Sequence, residues 1–274
     1  MTTATLATNE TASADGKILS RKVGSVGHLI FNHPEKRNAF SLEMSVAAAD
    51  VIEDFLKDDA IRVIVLSGAG DKAFVSGGDI SKFEKARATK EDVANYTQTG
   101  ERFRTLLKGS AKPTIAMIRG YCLGGGMAIA LNCDLRICTE ESSFGIPAAK
   151  LGIGYAADRL GQLVDLVGPS AAKDLLFTGR RCNAQEALRL GIVNYVLPAS
   201  DLEEFVDSYA RTLSGNAPLS MLASKRVIDE YVKDESKRDT ALTAKVVADC
   251  FASQDYIEGR RAFMEKRKPN FTGK

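Results

Sequence analysis

GYCLGGGMAIALNCD, residues 120–134, sets three consecutive glycines at the head of an apolar stretch of helical character. Glycine in a helix costs roughly 1 kcal/mol relative to alanine, so such a run serves something other than helix stability. A helix start presents unpaired N–H groups and the positive end of a dipole, and glycine lets a ligand reach them. VSGGDI, residues 75–80, repeats the pattern, and both loops stand between a strand-like and a helix-like segment. Two such loops can hold a phosphate or stabilise an anionic oxygen. The structural alternative is tight helix–strand packing. GxxxxGK[ST] is absent, and so is GxGxxG at nucleotide-binding spacing, which weakens a nucleotide-binding reading.

Working outward, KILSRKVGSVGHLIFN reads as two short strands around a turn, broken by His33 and Pro34. Ser41 is placed to cap the periodic segment SLEMSVAAADVIEDFLKD. IRVIVLSG, TIAMIRG and LRICTE are buried-strand candidates, and residues 92–107 form a helix. ISKFEKARA has helical composition, with Glu84 among lysines on a solvated face. Strands leaving through glycine-rich loops into helices predict an α/β fold with largely parallel strands. After Pro169 the pattern is mostly helical, with IVNYVL the one strand candidate.

The 274 residues are 45% hydrophobic and carry a formal net charge of +2, so no nucleic-acid or membrane field is expected. No apolar run reaches the ~18 residues of a membrane span. Cys122, Cys133, Cys138, Cys182 and Cys250 lack a CxxC pair and read as free thiols in a reducing compartment, the cytoplasm. With only His28 and His33 as imidazoles, a zinc site is not expected. Residues 1–16 read as a disordered tail, 17–200 as the α/β core and 201–274 as a helical region.

NHPEKRNAF, DKAFVSGGDI, GYCLGGGMAIALNCDLRI, FGIPAAKLGIG, FTGRRCNAQEALRLGIVNYVLP and EGRRAFMEKRKPNF follow one another in that order. The series resembles the crotonase, or enoyl-CoA hydratase/isomerase, family from about Lys17 to Phe271. The resemblance implies a spiral of ββα units with C-terminal helices that build a homotrimer or a dimer of trimers. It implies an acyl-CoA thioester as ligand, with no cofactor beyond that CoA. It makes the N–H groups of Gly78 and Gly125 the oxyanion hole for a thioester enolate. It puts Lys36, Arg37, Ala39, Lys72, Val75, Ser76 and Gly77 on the CoA side. Asp79, Ile80, Phe83 and Gly124 complete the substrate contacts it implies.

The chain departs from the family pattern where the chemistry stands. A hydratase of this family carries glutamates in GGG-x-E and FG-x-PE; here those places are Ala128 and Ala148. Alanine can neither activate water nor protonate a carbon, so hydration by the usual route is not expected. The Asp of the dienoyl-CoA isomerases and dehalogenases would stand at Ala156, and Asp158 lies two residues further on. Asp158 is either that carboxylate, shifted by a loop slip, or a helix cap. Tyr155 matches a tyrosine of some acyl-CoA decarboxylases, or else lines an acyl pocket. Three functions stay open: an enolate-forming enzyme, a decarboxylase, and an acyl-CoA-binding protein without turnover.

Overall fold

The computed structural model describes residues 9–79 and 89–274. A seven-stranded sheet has the order β1-β2-β3-β4-β6-β8-β11, and a four-stranded sheet the order β10-β9-β7-β5. The large sheet contains β1 (Asn9–Ser13), β2 (Ile18–Val23), β3 (Val26–Phe31), β4 (Val63–Gly68), β6 (Thr114–Ile118), β8 (Leu135–Thr139) and β11 (Tyr195–Leu197). The small one contains β5 (Ala73–Val75), β7 (Tyr121–Leu123), β9 (Ser143–Gly145) and β10 (Cys182–Asn183). β1 to β3 pair antiparallel; β3, β4, β6, β8 and β11 then pair parallel.

The two sheets are wound by one repeated step. β4, β6 and β8 each lie in the large sheet, and the strand that follows each, β5, β7 or β9, lies in the small one. Helices α1 (Leu42–Lys57), α2 (Lys90–Lys108), α3 (Gly125–Leu131) and α4 (Ala157–Thr178) are interposed. This is the spiral α/β architecture expected, with largely parallel strands. The continuous apolar run of β4 follows from it: Ile64 and Leu66 enter the main core, while Val63 and Val65 face a second core. Leu202, Val206 and Ala210 of α6 (Leu202–Ser214) close that second core. α5 (Ala184–Arg189) precedes β11, and α7 (Pro218–Tyr231), α8 (Thr240–Ala252) and α9 (Gln254–Met264) complete the helical C-terminal part.

Ser41 caps α1 as expected, its hydroxyl accepting from Met44 N–H at 3.3 Å. The tail expectation needs correction. Asn9–Ser13 form a strand paired with β2 from Asn9↔Lys22 to Ser13↔Ile18, because the β2 edge offers unpaired backbone groups that a short polar strand satisfies. α4 is kinked at Gly168, where φ is 75°, immediately before Pro169; two helical segments meet there. All five cysteines are free. Burial pushes the Cys133 and Cys138 thiols up to about 12, which makes them packing groups rather than nucleophiles. Among the described residues, no helix is long and apolar enough to cross a membrane.

Candidate active site

The site begins with one buried side chain. Asn38 is fully buried; its amide donates to the carbonyls of Ala73 at 2.7 Å and Ala69 at 3.0 Å and accepts from His33 N–H at 2.8 Å. These bonds fix the 33–40 loop against the β4–β5 corner. Arg37 and Asn38 take left-handed backbone angles, φ 53° and 55°, and the chain then runs beside the first glycine loop. Phe40 N–H donates to Gly77 O at 2.8 Å, and Asp79 N–H donates to Phe40 O at 3.0 Å. In such a bridge the intervening N–H, that of Gly78, points the other way. It has no backbone acceptor among the described residues.

The second loop meets it there. Gly124 has φ 52°, which admits glycine and few others, and its N–H donates to Gly145 O at 2.8 Å. Gly125 opens α3, and a Cβ built on it would lie 3.7 Å from Gly78 N. At Gly126 a Cβ would lie 2.1 Å from Val75 O, so only a glycine lets α3 pack on β5 at this distance. The N–H of Gly125, at the start of a helix, likewise has no backbone acceptor among the described residues. The two glycine loops therefore converge on one cavity of about 440 Å³, lined by Ser76, Gly77, Gly78, Gly124 and Gly125.

The cavity is in part aromatic. Phe40 and Phe103 line it with ring centroids 5.8 Å apart. Ala128 and Ala148 also face this cavity, so the two positions that would carry glutamates present methyl groups to it. Asn132 and Gln162 line it as a satisfied pair, the Gln162 amide donating to Asn132 Oδ1 at 2.7 Å. Among the described residues, three charged side chains join the lining: Glu101 and Arg104 of α2 and Arg159 of α4. Arg104 is ion-paired to Glu101, and to Asp158 at 2.9 Å.

Tyr155 lies on the cavity wall. Asp158 does not. It is not the helix cap: the N-cap is Ala156, and Asp158 sits in the first turn with its carboxylate on Arg104. Arg104, on α2 and 54 positions earlier in the chain, is the partner that sequence spacing could not reveal. Val75 is fully buried in β5. Lys36, Arg37, Ala39 and Lys72 lie off the cavity lining, in the 33–40 loop and at the β4–β5 corner. Lys36 reaches the buried Asp79 carboxylate at 3.7 Å. Ile80, Phe83 and Glu84 lie outside the described residues.

The structure sets Arg181 beside Arg37. Its guanidinium lies 5.0 Å from the centroid of the Tyr121 ring, and that of Arg37 lies 5.4 Å from the same ring. Its neighbour Arg180 is instead neutralised by Asp174 and Glu186. Nothing in the FTGRRCN stretch separates the two arginines; only the approach of β10 to β9 and β7 does so.

The comparisons agree with this geometry. A family model described as enoyl-CoA hydratase/isomerase matches residues 21–274. A crotonyl-CoA hydratase of Syntrophomonas wolfei is 34% identical over 257 residues, covering 94% of this chain and 98% of the relative. A carnitinyl-CoA dehydratase of Proteus mirabilis is 34% identical over 255 residues, covering 92% and 96%. A crystal structure of an enoyl-CoA hydratase/carnithine racemase from Magnetospirillum magneticum superposes with a TM-score of 0.91 at 30% identity, covering 97% of each chain. With its spiral core, paired glycine loops and end-to-end similarity, this chain belongs to the enoyl-CoA hydratase/isomerase, or crotonase, family.

Proposed function

We propose that the protein is an acyl-CoA enzyme that holds a thioester enolate between the N–H groups of Gly78 and Gly125, and that its reaction does without the two-glutamate addition of water. The observation that carries this reading is the convergence of two N–H groups, without a backbone acceptor among the described residues, on a cavity where Ala128 and Ala148 stand in place of acids. Developing negative charge on the thioester oxygen would meet two preorganised donors, each typically contributing about 10²–10³ in rate. The cations Lys36, Arg37 and Lys72, joined by Arg181, suit the phosphates of CoA. Crotonyl-CoA hydration, dienoyl-CoA isomerisation and decarboxylation of a malonyl-type CoA ester, assayed side by side, test the reading. Efficient hydration by the wild type would refute it.

Tyr155 on the cavity wall favours decarboxylation as the second reading. The bond from Cα to the leaving carboxylate would break, its electron pair passing into the enolate as carbon dioxide departs. A proton then returns to Cα, with the Tyr155 phenol as its source. Binding of CoA esters with no turnover in any assay would instead identify an acyl-CoA-binding protein.

The C-terminal helices expose Tyr231, Phe263 and Met264, the last two 82% and 80% accessible. Such large exposed apolar side chains suit assembly into a homotrimer or a dimer of trimers. Light scattering would then report three or six times the 29.5 kDa chain. The buried free thiols suit the cytoplasm.

A further inference from the structure

Among the described residues, three charged side chains line the cavity, and their bookkeeping is unequal. Arg104 is held by Glu101 and by Asp158. Arg159 lines the same cavity, is half-buried, and has no carboxylate partner among the described residues. It stands in the first turn of α4, where a cation opposes the helix dipole and lowers helix stability. A guanidinium kept in that position, on the cavity lining and with no carboxylate partner among the described residues, is built for an anion that arrives from outside.

The rest of the wall supports the same occupant. Ala128 and Ala148 remove the negative charge that two glutamates would place in this cavity. The one acid on the lining among the described residues, Glu101, is occupied by Arg104. Asn132 and Gln162 bond to each other, leaving Arg159 as the strong donor toward the ligand on that side. Phe40 and Phe103 give the same lining apolar surface for a carbon chain.

We propose that the acyl group bound here carries a carboxylate of its own, and that Arg159 receives it. The inference rests on the acyl-CoA reading above and specifies the substrate class: a thioester of a dicarboxylic acid rather than of a simple fatty acid. It makes Arg159 a specificity-determining residue.

The test compares the affinity of glutaryl-CoA with that of valeryl-CoA, which matches its chain but lacks the second carboxylate. Calorimetry on the full chain is run for the wild type, Arg159→Met and Arg159→Lys. Glutaryl-CoA should bind the wild type about tenfold or more tightly than valeryl-CoA, the scale of one charge-assisted pair. Arg159→Met should bring that ratio to about one, and Arg159→Lys should keep part of it, since a point charge replaces the fork. A wild-type ratio near one overturns the proposal, as does a ratio unchanged by Arg159→Met. If neither ester binds, the acyl-CoA reading itself has failed. If both bind equally, that reading stands and only the assignment of Arg159 falls. Thermal melting of both variants verifies that they fold.

Discussion

Gly126→Ala is a one-methyl change that tests the oxyanion hole without touching either donor. The new Cβ would stand 2.1 Å from Val75 O and 2.8 Å from Val75 Cβ. Ordinary contact needs ~3.2 Å or more, so one element must yield by ~1 Å. Val75 belongs to β5, which is paired with β7 at Cys122, and cannot move without tearing that sheet. The start of α3 moves instead, and it carries Gly125 N–H away from Gly78. A displacement of about 1 Å at a reacting group costs on the order of 10² in rate, or ~2.7 kcal/mol, close to the value of one lost donor. CoA binding through Lys36, Arg37, Lys72 and Arg181, which the shift does not reach, should weaken far less. The assay is twofold: turnover of whichever ester proves active, and the infrared stretch of the bound thioester carbonyl. With both proposed donors in place the wild type should lower that stretch; in Gly126→Ala, with one donor withdrawn, it should return about halfway to its value in water. An unchanged stretch in a folded variant, with turnover within about threefold of wild type, would refute the reasoning.

Three further outcomes follow from the geometry. Asn38→Ala removes a buried amide that makes three hydrogen bonds and puts alanine at φ 55°, so urea denaturation should show a loss of about 3–4 kcal/mol, with KM raised as the 33–40 loop loosens. Arg181→Ala should raise KM for CoA esters while leaving the matching pantetheine esters, which lack the nucleotide phosphates, unaffected; an equal rise for both would place Arg181 outside phosphate binding. His28 is buried beside Arg21, and desolvation first, then that positive charge, lowers its pKa to about 4. The folded state therefore refuses a proton that the unfolded chain takes up below its ordinary pKa of about 6.5, so stability falls with acid between pH 6.5 and pH 4. The loss between pH 7 and pH 5 should be about 2 kcal/mol by urea titration, and His28→Phe should flatten that limb; the same slope in the variant would exclude His28 as its source.

Local signals in the chain were read directly. The β-branched runs became β4, β6 and β8, Ser41 capped α1, and the two glycine loops stood between strands and helices. Each depends on residues within a few positions of one another, so the spacing alone encodes it. The alanines at 128 and 148 were legible in the same way, because a resemblance of motif order fixes which position faces the chemistry. Asn9–Ser13 were not legible as a strand: NETAS has no alternating apolar face, and it pairs because β2 leaves its edge open.

The amino-acid sequence by itself determined the elements, the bare backbone of the two glycine loops and the alanines at positions 128 and 148. Tertiary structure alone decided which charges meet. Glu101 and Arg104 come from one helix, Asp158 and Arg159 from another more than fifty residues away, and of the neighbours Asp158 and Arg159 one turns to Arg104 and the other to the cavity. Adjacent residues on a helix point about 100° apart, so which of them faces the ligand depends on how the helix is rotated against its neighbours. That rotation is set by packing across the whole core, and no local pattern in the chain records it.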